Sequence, residues 1–193
     1  MTVRSLIALS LFALSSACAL AQAPVQTTHR LDIAFDYNYV HSNAPPGGCG
    51  CFSLNGGNGS VAWFVAPHVA LVADIGGVYT NKANSSGLDL TLTNYLFGAR
   101  VPYRIRKSRF ETFGQVLIGA SHAGGTLAPA NAGGGVFAAS AGGGVDFTLT
   151  HHIAIRAAEV DYLLTTFPNG STNTQNNIRA GAGIVFRLTP KAR

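Results

Sequence analysis

From about Leu31 to Leu188, large apolar residues recur at every other position, and small or charged residues fill the positions between. The final stretch shows this most plainly. Ile178, Ala180, Ala182, Ile184, Phe186 and Leu188 fall on one side, while Arg179, Gly181, Gly183, Val185 and Arg187 fall on the other. Period two belongs to a strand whose faces meet different surroundings. The bulky face is continuous, and the opposite face is cramped and partly charged. In a closed barrel this puts bulk outside and small or charged groups inside, the sidedness of a barrel set in lipid. A soluble ligand-binding barrel of the lipocalin type needs the reverse.

Composition agrees. Only 11% of residues are charged, against about 25% in soluble domains. The net charge of +5 suggests nucleic acid until the positions are read. Arg100, Arg104, Arg106, Lys107 and Arg109 crowd one short turn. A cluster at a bilayer edge explains them better than a DNA groove does, so no nucleic-acid partner is expected. Residues 1–21 read as a signal peptide: Arg4, an apolar run from Leu6 to Leu14, and Ala19-Leu20-Ala21 before a cut at Gln22. Cys18 does not make a lipobox, because Ser15 stands where Leu is wanted. No segment has the roughly 20 consecutive apolar residues of a transmembrane helix. Residues 22–193 are therefore read as one all-β domain.

Eight antiparallel up-and-down strands are expected, at about Leu31–His41, Asn58–Val65, Val69–Thr80, Leu88–Val101, Arg109–Ser121, Val136–Leu149, Ile153–Leu164 and Asn176–Leu188. The connections alternate. Ala66-Pro67-His68, Pro102–Ser108 and Thr150–His152 are short. Ser42–Gly57, Asn81–Gly87, His122–Gly135 and Thr165–Gln175 are longer and rich in turn-forming residues, with Lys82 as their one charge. Short turns on one rim and long loops on the other place the turns and both termini in the periplasm and the loops outside the cell.

Strand seven breaks step, since Arg156 and Glu159 cannot share a face under strict alternation. A bulge at Ala157-Ala158 would turn Arg156, Glu159 and Asp161 all inward. A similar slip near Thr93-Asn94 is expected in strand four to point Arg100 inward. Gly183 is read as a lumen position that tolerates a small side chain. Tyr37, Tyr39, Trp63, Tyr79 and Tyr162 are candidate interface aromatics.

With these strands placed, the chain resembles the small eight-stranded outer-membrane barrels, the OmpA-like transmembrane barrel and its relatives. The most specific element is the last strand. Arg179, Gly181, Ile184 and Phe186 resemble the C-terminal signal read by the outer-membrane assembly machinery. The resemblance implies that machinery and outer-membrane lipid as partners. The chain has no room for the peptidoglycan-binding domain of larger OmpA-like proteins.

An eight-stranded barrel has a lumen just wide enough for side chains to fill it. Asp32, Asp36, Asp74, Asp146, Glu159 and Asp161 are expected to meet Arg100, Arg156, Arg179 and Arg187 there in a paired network, because unpaired buried charge is costly. An ion path or gate is the other reading of the same charges. Cys49-Gly50-Cys51, in the first long loop, can form a strained local disulfide, stay as free or inter-chain thiols, or take a metal or redox role. His151-His152 read as exposed turn residues. In lipid A deacylases, His and Ser stand one residue apart on a lipid-facing strand. Here His41 and Ser42 are adjacent and face opposite ways, as do Ser121 and His122, so no enzyme is expected. Gly133–Gly135 and Gly142–Gly144 lack the Lys-Ser/Thr of a phosphate loop. No cofactor or metal is expected.

The leading expectation is a plugged outer-membrane barrel with a structural or surface-interaction role toward an unidentified partner. The rival is an OmpW-like transport barrel for small apolar molecules, which the small and charged inward set disfavours.

Overall fold

The computed structural model describes residues 30–42, 52–82, 87–126, 135–168 and 173–188. The segment read as a signal peptide lies outside them, and so do Cys49 and Cys51. The chain forms eight antiparallel strands: β1 (Leu31–Ser42), β2 (Phe52–Ala66), β3 (Val69–Thr80), β4 (Leu90–Arg104), β5 (Phe110–Gly124), β6 (Val136–Thr148), β7 (Ile153–Thr165) and β8 (Gln175–Leu188). Each pairs with the next, and β8 returns to β1 with Leu31 opposite Leu188 and Ser42 opposite Asn177. Closure leaves no open sheet edge, as hydrocarbon surroundings require.

The outward face carries large exposed apolar residues on every strand. Phe35, Tyr37, Ile75, Tyr95, Phe97, Val116, Ile118, Val160 and Ile184 are all exposed. The expected interface aromatics are exposed as well, Tyr37 and Tyr39 on β1, Trp63 on β2, Tyr79 on β3 and Tyr162 on β7. The bulge in β7 lies where the sequence puts it: Arg156 faces Gly183 and Glu159 faces Gly181, so Ala157 and Ala158 together span the single residue Ala182. The extra residue turns Arg156, Glu159 and Asp161 inward together.

Three sequence expectations are corrected. The slip near Thr93-Asn94 is absent, for β4 keeps register with both neighbours along its length. Strict alternation already points Arg100 inward, together with Leu92, Asn94 and Leu96. The slip is needed only if leucine must face lipid, and the interior accepts it. The inward set is accordingly not all small and charged: Val40, Leu54, Val72, Leu117, Leu163 and Val185 are fully buried within the barrel.

Second, β2 starts at Phe52 rather than Asn58. Its early residues, Asn55-Gly56-Gly57, look like loop but pair with Tyr79-Val78-Gly77. A Cβ on Gly56 would stand 2.0 Å from the Gly77 carbonyl oxygen, so glycine is what lets the two strands approach. Third, Gly183 is not a tolerant position. A Cβ there would meet the Phe35 carbonyl oxygen at 2.1 Å and Asp36 Oδ1 at 2.4 Å.

Candidate functional site

The interior is layered. Nearest the long-loop end lies an apolar cluster of Val40, Leu54, Val78, Leu90, Leu92, Ala123 and Phe167. Phe167 follows β7 and is held over the interior by Gln175. The Gln175 amide accepts from the Phe167 backbone N–H at 2.8 Å and donates to its carbonyl oxygen at 2.9 Å.

Below this cluster sits the charged layer. The Arg156 side chain is wholly buried and has three carboxylate partners: Asp36 at 2.9 Å, Asp146 at 3.0 Å and Glu159 at 2.8 Å. Arg179 donates to Asp74 at 3.0 Å, Asp161 at 2.6 Å and Glu159 at 3.3 Å. Glu159 therefore bridges the two arginines. Arg100 donates two bonds to the Gln115 side-chain oxygen, at 3.1 and 2.8 Å, and stands 4.0 Å from Glu159. Gln115 passes the link on, donating to Glu159 at 3.1 Å. Two guanidinium groups stack on the Phe113 ring, that of Arg100 at 4.1 Å and that of Arg156 at 4.8 Å from its centroid. Asn58 donates to Asp74 and accepts from Asn38 at 2.7 Å. The structure thus brings together Asp36, Asp74, Arg100, Asp146, Arg156, Glu159, Asp161 and Arg179, the residues proposed for the lumen.

Glycines make room for these side chains. Asp36 leans over Gly183, and Asp161 leans over Gly142, where an added Cβ would lie 2.3 Å from Asp161 Oδ1. Alternating bulk across facing strands lets a narrow barrel hold so many long polar groups.

Toward the short-turn end the network continues to the mouth. Glu111 receives Arg30 at 2.7 Å, Arg104 at 2.9 Å and Arg187 at 3.2 Å. Arg30 also pairs with Asp32 and lies 4.4 Å over the Phe64 ring. A recess of about 470 Å³ opens here, lined by Arg30, Phe64, His68, Tyr103, Arg104 and Glu111. Sequence reasoning misses Glu111 and Gln115. They share parity with Phe113 and Leu117, which give that side of β5 the look of a lipid face. Arg30 is missed because it precedes the alternating region.

Of the eight carboxylates in the sequence, all but Asp89 are buried in the barrel. Asp89, just before β4, accepts from the Thr126 hydroxyl and, at 3.3 Å, from its backbone N–H, and these bonds hold its carboxyl below the ordinary range. This placement also bears on His41. The structure gives it a serine neighbour that the sequence conceals: Ser53 Oγ on β2 lies 3.3 Å from His41 Nδ1 and 2.6 Å from the Tyr39 hydroxyl. The pair faces outward, and every carboxylate lies elsewhere, so none can complete a relay through the imidazole. Among the described residues no group of His, Cys, Asp or Glu is arranged to hold a metal.

In β8, Arg179 and Gly181 face inward while Ile184 and Phe186 are exposed on the outer face. The sequence matches the model of the outer membrane protein β-barrel domain over residues 9–186.

The chain belongs to that family.

Solved structures share the fold. Neisserial surface protein A is 16% identical with a TM-score of 0.58, and the match covers 82% of this chain and 96% of that one. The attachment invasion locus protein Ail of Yersinia pestis, solved with the heparin analogue sucrose octasulfate, is 13% identical with a TM-score of 0.55, covering 84% of this chain and 100% of Ail. No curated protein matches the sequence. The protein is an outer-membrane β-barrel, crossing the bilayer with its strands.

Proposed function

We propose that this outer-membrane barrel is closed to ions and acts as a structural or surface-interaction protein, through loops that face outside the cell. The observation that carries the reading is Arg156, with no solvent exposure and three carboxylates around it. A side chain so held blocks the axis at its centre, and the apolar cluster around Phe167 fills the bore on the long-loop side. Placing both termini and the short turns in the periplasm is supported by the even strand count and by the contrast between turns and loops. Recognition of β8 by the assembly machinery, through Arg179, Gly181, Ile184 and Phe186, is supported by that strand's role in closing the barrel onto β1.

The test is a planar-bilayer trace of the purified protein, with protease access to a tag inserted at residues 43–51 of intact cells. The closed reading expects no steady conductance and a cleavable tag. A large stable channel overturns it. The second reading, an OmpW-like path for small apolar molecules, runs through the apolar cluster and requires its packed side chains to part. That reading expects saturable uptake of such a molecule by vesicles carrying the barrel, without ion conductance.

A further inference from the structure

Among the described residues, exposed positive charge is concentrated at one end of the barrel. The barrel interior holds every carboxylate but Asp89, and Asp89 is bound to Thr126 at the long-loop end. At the short-turn end, Arg104, the last residue of β4, and Arg106, Lys107 and Arg109, in the turn joining β4 to β5, are all exposed. Arg104 reaches back to Glu111. Among the described residues none forms an ion pair with Arg106, Lys107 or Arg109. No acidic side chain remains on the outer surface of this end to meet them.

The turn is also a built structure. The Ser108 N–H donates to the Ile105 carbonyl oxygen at 3.0 Å, the Phe110 N–H to Ser108 Oγ at 3.1 Å, and the Thr148 N–H to the Arg109 carbonyl oxygen at 2.8 Å. Lys107 takes a φ of 62° to complete the reversal. The cations are thus presented from a fixed frame. Their neighbours are apolar and outward: Val101 is 54% exposed, Tyr103 70% and Phe110 44%. These residues continue the lipid-facing band of β4 and β5 to its rim, so the cations stand where hydrocarbon gives way to headgroups.

We propose that the β4–β5 turn is a docking surface for anionic phospholipid headgroups at the rim of the bilayer. Three unpaired cations supply the charge complement of a phosphate-bearing headgroup. Tyr103 and Phe110 lie against the acyl region of the same lipid. A free phosphate would gain nothing from that apolar fringe, which is why a lipid is the occupant. Each Lys or Arg at such a surface contributes a factor of about five in binding. The inference rests on bilayer insertion but not on the closed lumen, so conductance and lipid binding fail separately.

The experiment places the reporter in the turn. The full mature chain carrying Trp63→Phe and Tyr103→Trp is refolded into phosphatidylcholine vesicles. These contain a minor share of brominated phosphatidylglycerol or, in parallel, brominated phosphatidylcholine. Heat-modifiable gel mobility confirms folding. The expected result is association of phosphatidylglycerol beside residue 103 about fivefold or more above phosphatidylcholine, weakening in salt. Parity is expected when Arg106→Gln, Lys107→Asn and Arg109→Gln are combined. Asn suits the left-handed backbone at position 107. The unaltered chain, with Trp63 on β2 as reporter, is expected to show little preference. Equal quenching by the two lipids at residue 103 overturns the proposal. So does an unchanged preference in the triple variant, or an equal preference at Trp63.

Discussion

Arg156 Nη1 and Asp36 Oδ2 meet at 2.9 Å inside the barrel, although 120 residues separate them in the chain. Arg156 is on β7 and Asp36 on β1, so the contact reaches over β8, the strand between them. Gly183 of β8, which pairs with both residues in the ladders, leaves the space through which they touch. Replacing Arg156 with Ala leaves Asp36 without an ion-pair partner and takes one cation each from Asp146 and Glu159, which keep Arg187 and Arg179. Folding stability is expected to fall by about 3–5 kcal/mol, read from the urea dependence of heat-modifiable gel mobility. A loss below about 1 kcal/mol would mean that water reaches the site and screens it.

Sidedness is tested on β8 and β3. Ile184→Arg and Leu71→Arg put a charge on the lipid face and are expected to cost about 2–4 kcal/mol each near mid-bilayer. Ser140 faces the interior with its hydroxyl unpartnered, so Ser140→Ala is expected to be nearly neutral. Gly183→Ser, despite its small side chain, is expected to impair assembly because its Cβ meets backbone. Yield of the folded band separates these outcomes.

Phe167 tests which layer seals the barrel. Phe167→Ala removes the ring from the apolar cluster and is expected to destabilise by about 3 kcal/mol. The arginine–carboxylate layer remains beneath it, so the bilayer trace is expected to stay silent. Steady conductance in this variant would move the seal to the loop end.

The bond between Asp89 and Thr126 gives a local pH response. The carboxyl is held below its ordinary value by the Thr126 hydroxyl and N–H. Its contribution is therefore present above the free-carboxylate range, near about pH 4, and is lost as pH falls through the lowered value. Hydrogen exchange at the Thr126 amide is expected to lose protection over that acid range. Asp89→Asn is expected to remove the dependence.

Cys49 and Cys51 lie outside the described residues, in the connection between β1 and β2. A double Cys→Ser variant is expected to fold and insert normally, since a ring so short removes little unfolded-chain entropy. Thiol labelling of intact cells only after a mild reductant would identify a disulfide, and labelling without it would identify free thiols.

The alternation of residues by itself determined the strand number, the closed barrel and the lipid-facing surface. Those features depend on period and on the contrast between faces, both local properties of the chain. The β7 bulge was legible for the same reason, because Arg156 and Glu159 violate the period. Interior pairing was not legible. Which arginine meets which carboxylate depends on register around the whole circumference, as the Arg156–Asp36 and Arg179–Asp74 contacts show. Leucine in the interior, strand character in Asn55–Gly57 and the intolerance of Gly183 were equally hidden. Each depends on how closely two distant backbones approach, and only the folded barrel sets that distance.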